Sequence, residues 1–419
     1  MALNRREFLG PGMVAAASAA ALAGSAMAPG ADASAWRSDF PIARERVYLN
    51  SASEHPVSIH SARAMKSFVD YLTTDLTRAE WVRTSEEAKA HSGARLREIK
   101  PLFAKLINAK PSEIIFVRST QVGENLVVNG MNIQASGGNV VTNDLHYANC
   151  IYNYKMRQKA GLDVRIVKHR DWQIDMRDLE RVVDRNTKLV ATTLVSNVNG
   201  LLQDVKAMSR LAHAHGAYLF ADIIQGAGAV PIDVKAMGID FASCSTYKWL
   251  MGLRGFGYLY IREDLQHRVV RPTEFGGSVR FNYAPWTASP QPGLPEIGFS
   301  PRNGASEYEV GNVSNVGSVC QYESLQYIQR LGIETIQAHA RRLTSRLQQE
   351  LPAIGYPCIT PNGNGSPLVT FLVKDPQATA ERLRRANIEL TLRFGKQMRV
   401  AVSVFNDQSD VDRLLQALG

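Results

Sequence analysis

A chain of 419 residues, 45% hydrophobic and 21% charged, is long enough to bury a sizeable core and suggests two domains. Its formal charge of +9 is spread along the sequence, with no basic run interleaved with aromatics, which argues against nucleic-acid binding. Beyond the N-terminal segment, no stretch stays apolar for long enough to insert into a membrane.

Residues 1–35 read as an address rather than as part of the fold. Asn4-Arg5-Arg6-Glu7-Phe8-Leu9 is followed by an alanine-rich, weakly apolar stretch and then by small-residue cleavage sites. Of these, Ala31-Asp32-Ala33 is better than Ala26-Met27-Ala28, which Pro29 follows directly. The segment resembles a twin-arginine export signal, which implies the twin-arginine translocon as a partner during export and a periplasmic destination. A Sec signal, or a chance arginine pair in a loose terminus, is the competing reading.

From residue 36 onward, helix-like and strand-like segments alternate. Residues 36–60 read as an N-terminal arm, 61–305 as a large domain and 306–419 as a smaller one. Helix patterns over 60–76, 86–107, 178–183 and 208–215 are interleaved with short apolar strands over 113–117, 139–143, 164–169, 189–196, 217–222 and 241–245. Residues 255–261 read as a further strand of antiparallel direction. This alternation predicts right-handed crossovers and an α/β fold, its mainly parallel sheet covered on both faces. The Pro/Gly-rich segment 284–304 is long for a loop in a compact domain; a lid near a site and a disordered insertion both fit it. A long connecting helix is expected over 313–329. Strands over 367–373 and 398–404, with helices over 379–386 and 411–418, complete a small C-terminal α/β domain. Cys150, Cys244, Cys320 and Cys358 show no metal-type spacing, and three lie in apolar runs, which favours buried thiols over a disulfide framework.

Ligands of open parallel sheets bind at the C-terminal ends of the strands, and polar residues fall there one after another. Arg118-Ser119-Thr120-Gln121 follows the strand over 113–117 and opens a helix. Free N–H groups and hydroxyls at such an end suit a phosphate, although an ordinary Ser/Thr cap would explain the turn by itself. Asp144-Leu145-His146 and Ser196-Asn197 follow the next strand ends. The apolar run 217–221 ends in Asp222, with Gln225 three residues on, and the run 241–244 gives way to Ser245-Thr246-Tyr247-Lys248 before a glycine-rich stretch. A strand-end carboxylate followed by a strand-end lysine is what pyridoxal 5'-phosphate requires. The lysine condenses with the cofactor's aldehyde, and the carboxylate keeps the pyridine nitrogen protonated so that the ring accepts electrons.

On these residues the chain resembles the class V aminotransferase family of fold-type I pyridoxal-phosphate enzymes, the group that includes cysteine desulfurases and isopenicillin N epimerase-like proteins. The likeness runs from Tyr48-Leu49-Asn50-Ser51-Ala52 to the C-terminus, and rests most on Asp222-x-x-Gln225 with Ser245-x-Tyr247-Lys248. It implies a large domain with a mainly parallel seven-stranded sheet, a smaller C-terminal α/β domain and pyridoxal 5'-phosphate as cofactor. Carried over by position, Lys248 is the Schiff-base lysine, Asp222 the partner of the pyridine nitrogen and Gln225 a donor to the phenolic oxygen. Asn197 sits beside that oxygen and the substrate carboxylate. His146 matches the histidine that stacks on the ring and assists proton transfer, and Thr120, Gln121 and Ser245 match phosphate contacts. Arg399, in Met398-Arg399-Val400, matches the arginine that clamps the substrate α-carboxylate.

The departures from the family pattern carry information. Tyr247 stands where many relatives have histidine, and its phenol can still reach the phosphate. Glu309-Val310-Gly311-Asn312 replaces a Glu-x-Gly-Thr whose threonine reaches the neighbouring subunit's phosphate. Asn312 can donate the same bond, so a homodimer with shared sites is expected. Cysteine desulfurases carry a nucleophilic cysteine shortly before the carboxylate-binding arginine; residues 392–398 contain none, which sets desulfuration aside. The resemblance thus implies an exported enzyme acting at the Cα of an amino acid, or of an amino-acid residue in a secreted metabolite, as a transaminase or epimerase. A periplasmic pyoverdine-tailoring enzyme, a lyase or a decarboxylase is the alternative. A Rossmann-type oxidoreductase would need a GxGxxG turn after the first strand, which Ser119-Thr120-Gln121-Val122-Gly123 lacks.

Overall fold

The computed structural model describes residues 33–74, 94–276, 280–281, 299–300, 304–393 and 395–419. The proposed export signal, apart from residues 33–35, and most of the 284–304 segment lie outside these. The chain opens with short helices α1 (Ala33–Ser38) and α2 (Ile42–Glu45), the two-residue strand β1 (Val47–Tyr48) and helix α3 (Ile59–Thr74). Then come α4 (Ala94–Leu106), β2 (Ile114–Val117), α5 (Thr120–Gly130), β3 (Asn139–Asn143), α6 (Ala148–Lys159), β4 (Asp163–Val167), α7 (Met176–Glu180) and β5 (Thr187–Thr193). Helix α8 (Val205–Ala214), β6 (Tyr218–Asp222), β7 (Phe241–Ser245) and β8 (Gly257–Ile261) complete the central sheet.

That sheet has seven strands in the order β2-β8-β7-β6-β5-β3-β4. All neighbours are parallel except β8, which is antiparallel to both β2 and β7, as the pattern over 255–261 suggested. Alternate residues of one strand enter opposite cores, as period two demands. On β6, Leu219 and Ala221 pack with α4 and α8 through Phe103 and Met208, whereas Phe220 packs with α5 and α6 through Val127 and Tyr154. Covered on both faces, the strands read as near-continuous apolar runs.

Two close approaches fix this packing. A Cβ on Gly123 of α5 would lie 2.3 Å from Ser243 Oγ, so only glycine lets α5 sit this low on β7. A Cβ on Gly257 would lie 2.6 Å from Cys244 O, which makes glycine obligatory where β8 leaves the turn.

Past the central sheet, β9 (Arg280–Phe281) pairs antiparallel with β10 (Phe299–Ser300), so the segment expected to be loop over 284–304 holds a strand near its end. Helix α9 (Asn315–Leu331), the connecting helix, packs on α3 and α4. It leads into α10 (Ile333–Ala353), a 21-residue helix without counterpart among the predicted elements. Its stripe of Ile336, Ala340, Leu343, Leu347 and Leu351 at three- and four-residue spacing is nevertheless that of an amphipathic helix. The remainder comprises β11 (Leu368–Leu372), α11 (Pro376–Arg385), β12 (Ile388–Glu389), β13 (Thr391–Arg393), β14 (Gln397–Ala401) and α12 (Gln408–Leu418).

Strands β11, β14 and β13 form an antiparallel sheet. Strand β1, from the start of the described chain, pairs parallel with β12. Val47 and Leu49 therefore share a core with Leu343 of α10, Val400 of β14 and Leu414 of α12. Two predicted strands end early for local reasons. β5 stops at Thr193, whose Oγ1 donates to Val195 O at 2.9 Å, and β14 stops at Ala401 because Ser403 N–H turns back to Asn406 Oδ1 at 2.8 Å. Among the described residues no helix is long and apolar enough to cross a membrane.

Candidate active site

The C-terminal ends of β2, β3, β5, β6 and β7 meet along one edge. Each predicted site residue of the central sheet lies at such an end or within four residues of it. Eight of them, Thr120, Gln121, Asn197, Asp222, Gln225, Ser245, Tyr247 and Lys248, line one cavity of about 250 Å³.

One end of the cavity is the first turn of α5. Ser119 caps it by accepting from Val122 N–H at 3.3 Å. Thr120 and Ser245 lock together: Thr120 N–H donates to Ser245 Oγ at 3.0 Å, and Ser245 N–H donates to Thr120 Oγ1 at 2.9 Å. This cross-link joins the helix N-terminus to the end of β7 and, with the Thr120 and Val122 N–H groups engaged, turns Gln121 and the helix dipole toward the cavity. The end is thus built for an anion, with Arg118 and Arg254 on its rim.

Asp222 closes β6 and is 2% exposed, its Oδ1 accepting from Ile224 N–H at 2.9 Å. Burial raises its carboxyl to about 6, against the opposing pull of His146, the Ile224 N–H and Lys248. Lys248, 8% exposed, is shifted the other way. Burial lowers its ammonium to about 7, helped by Arg399, Arg393 and Arg254 and resisted by Asp222. A lysine so placed gives up its proton far more readily near neutral pH than an exposed lysine does, which makes a nucleophilic amine accessible. Gln225 is fixed by accepting from Trp249 Nε1 at 2.8 Å and donating to Ala52 O at 3.0 Å, leaving its second amide hydrogen for a ligand. Tyr247 is half-buried with the Arg254 guanidinium 4.7 Å from its ring centroid, and Arg254 is paired with Glu54 at 2.9 Å.

Arg399 comes from β14 of the smaller sheet. It is 2% exposed yet has no carboxylate partner among the described residues. Its Nη1 donates to Asn197 O at 3.0 Å and its Nη2 to Ser53 Oγ at 2.7 Å, while its buried Nε has no acceptor. Burial, and then the neighbouring Arg393, lower its guanidinium to about 9. A buried cation with an unsatisfied N–H is costly unless an anion joins it. The arrangement is a half-built site for a carboxylate.

Three residues near the cavity carried no sequence signal of their own. Arg393, on β13, donates to Asn197 O at 2.8 Å and stands beside Arg399; only its register opposite β14 would have marked it. Tyr147 lines the cavity next to His146. Glu124, on the second turn of α5, is 1% exposed with its Oε1 3.5 Å from His146 Nε2.

His146 itself is 1% exposed and lies behind the cavity wall rather than among its lining residues. Its Nδ1 accepts from Tyr147 N–H at 2.7 Å. Asn312 is exposed and is not among the lining residues either; its neighbour Gly311 approaches Arg118 Nη2. Cys150, Cys244, Cys320 and Cys358 are all free thiols, and burial pushes each of them up. Residues 392–398, where a desulfurase-type cysteine would sit, contain parts of β13 and β14 joined through Gly395 at φ 65°.

Comparison with known proteins agrees with this geometry. The family model "Aminotransferase class-V" matches residues 47–414. A probable cysteine desulfurase of Methanothermobacter thermautotrophicus is 30% identical over 351 residues, covering 83% of each chain. Among solved structures, the apo form of cysteine desulfurase from Thermococcus onnurineus NA1 superposes with a TM-score of 0.76 at 22% identity, covering 91% of this chain and 95% of that one. A C-DES mutant with glycine covalently linked to its PLP cofactor gives a TM-score of 0.78 at 20% identity, covering 91% and 98%.

Proposed function

Because this chain belongs to the class V aminotransferase family and is a pyridoxal-phosphate-dependent enzyme of fold type I, we propose that it works at the Cα of an amino acid, or of an amino-acid residue in a secreted metabolite, as a transaminase or epimerase. The observation that carries the reading is Arg399, a buried guanidinium without a carboxylate partner among the described residues, beside a lysine whose ammonium burial lowers to about 7.

The residues present fit the cofactor. The α5 N-terminus with Thr120, Gln121 and Ser245 offers a cup for the phosphate, and Asp222 offers a buried carboxyl for the ring nitrogen. Lys248 offers a neutral amine for the aldehyde. When bound, the cofactor supplies an electron sink for charge developing at Cα.

The protein's own part follows from position. Arg399 would bind the α-carboxylate through two of its N–H groups, the free Nε–H among them, with Asn197 beside it. Lys248 Nζ would be the base that removes the Cα proton of the bound amino acid. Asp222 would hold the proton on the ring nitrogen, and Gln225 has an amide hydrogen left over from Ala52 that would serve the phenolic oxygen. His146 backs this wall and Tyr247 adds a phenol at the phosphate end.

Although the relatives named above are cysteine desulfurases, sulfur transfer is disfavoured here, because residues 392–398 lack a cysteine and every thiol is pushed up by burial. The same proposal places the enzyme in the periplasm as a homodimer, Asn312 of one protomer donating to the phosphate bound by the other. Arg5-Arg6 with Phe8-Leu9 supports export by the twin-arginine route, which carries folded proteins and so permits cofactor loading beforehand. The deciding experiment screens amino acids for keto-acid formation against Cα–H exchange in heavy water. Keto acid marks a transaminase, exchange with inversion marks an epimerase, and persulfide release from cysteine would overturn both.

A further inference from the structure

Glu124 has no part in the reaction as described, yet it is among the most deeply buried carboxylates of the chain, on a helix turn facing His146. A charge this deep must be compensated by donors. Tyr154 Oη donates to Glu124 Oε1 at 2.6 Å, and His146 Nε2 lies 3.5 Å from the same oxygen, while Oε2 has no partner. Burial opposes ionisation, but His146, Cys150 and Tyr154 prevail and hold Glu124 below the usual carboxylate range.

The histidine's state follows from its other nitrogen. Tyr147 N–H donates into Nδ1 at 2.7 Å, so Nδ1 carries no proton and the neutral ring must carry its proton on Nε2. That nitrogen lies 3.5 Å from an ionised carboxylate oxygen, within electrostatic reach though outside hydrogen-bond geometry. Glu124, His146 and Cys150 place donor atoms within 4.8 Å of one another, the set a zinc ion would take. The tautomer decides against it: a zinc ligand needs the Nε2 lone pair, and here that nitrogen holds the proton. Burial also keeps Cys150 a thiol.

We propose that Glu124 is a positioning residue: acting through His146, it fixes the tautomer and the proton content of the buried wall that ends in Asp222. The inference rests on the pyridoxal-phosphate reading of the cavity. The titratable groups facing this wall are Tyr154 and Cys150 on α6, Cys244 on β7, Asp222 at the end of β6 and Lys248 beyond β7. Burial keeps Tyr154, Cys150 and Cys244 neutral, so Glu124 and Asp222 are the anions that compete for His146.

The test uses the holoenzyme as wild type, Glu124→Gln, His146→Phe and the double variant, following kcat, KM and the pH dependence of the visible band of bound cofactor. Glu124→Gln is expected to lower kcat roughly tenfold, to leave KM within about twofold, and to move the pH at which the band changes. In the His146→Phe background it is expected to change neither. An unchanged kcat and band in Glu124→Gln overturns the proposal, as does an equal loss in the His146→Phe background, which a purely structural role would give. Stoichiometric zinc in the wild type that disappears in Glu124→Gln overturns it too. Should Glu124→Gln not fold, Tyr154→Phe keeps the carboxylate and removes its donor; it is expected to move the band in the same direction, and no movement would overturn the proposal. A wild-type protein that shows no visible band with pyridoxal phosphate would instead overturn the reading of the cavity.

Discussion

Asp222 with Lys248 and Glu124 with His146 are two buried acid–base pairs in one wall, and they respond to burial in opposite ways. Asp222 receives a backbone N–H from Ile224, and Lys248 has no ion pair among the described residues. Both drift toward neutrality, the acid up to about 6 and the amine down to about 7. Glu124 is as deeply buried but is supplied with Tyr154 Oη and His146, and it is held below the usual carboxylate range. A core carboxylate ionises easily where the protein provides the donors and is pushed up where a donor is left to arrive with a ligand. The first pair waits for partners from outside; the second already holds one donor, Tyr154, and a facing histidine.

The sharpest way to break this contrast is at Lys248. Lys248→Ala is expected to lower kcat/KM by about 10⁴-fold or more and to abolish the visible band of lysine-bound cofactor, read by steady-state kinetics and absorption. Retained turnover would remove the lysine from the chemistry. Asp222→Asn is expected to cost about 10²- to 10⁴-fold in kcat, and it carries an opposite signature in stability. Because the folded pKa of about 6 exceeds the ordinary 3.8, the folded chain holds a proton that the unfolded chain has released between those values. Stability of the cofactor-free protein therefore falls as pH rises across that window, by up to roughly 3 kcal/mol. Asp222→Asn should flatten this slope in thermal melts between pH 4 and 6.5; an unchanged slope would mean that the carboxyl is not perturbed.

Tyr154→Phe probes the other pair. Removing the donor at 2.6 Å leaves Glu124 closer to the condition of Asp222 and is expected to destabilise by about 1–3 kcal/mol, measured by denaturant unfolding. A neutral outcome would show that His146 alone suffices. The smallest effect is expected at the surface, where Arg254 and Glu54 pair at 2.9 Å with both side chains more than half exposed. Glu54→Gln should change stability by less than about 1 kcal/mol in the same assay, since water already screens that pair.

Lys248 and Asp222 were legible because a parallel sheet delivers its ligand-binding residues at strand ends, and strand ends are visible as apolar runs that stop. Thr120, Asn197 and Ser245 were legible for the same reason, and the antiparallel β8 followed from its own short apolar run. Glu124 was not, because it sits inside a helix whose sequence shows no pattern around it, and its meaning comes from a histidine 22 positions later that folds against it. Arg393 has no motif around it; its proximity to Arg399 arises from hairpin register. The pairing of β1 with β12 joins residues more than 340 positions apart, a distance over which local pattern carries no information. Why β9 and β10 pair was likewise invisible, since each has two residues.

That β1–β12 pairing has a consequence for the order in which the enzyme is made. Ser53, near the beginning, accepts a hydrogen bond from Arg399, near the end, and Leu49 N–H and O bond to Glu389 and Ala401 respectively. During synthesis the central sheet can close as soon as β8 has emerged from the ribosome, but β1 has nothing to pair with until β12 appears. The pocket for the substrate carboxylate is therefore finished only after Arg399 has been made. A nascent chain can acquire the cradle for the cofactor before it acquires the grip on its substrate.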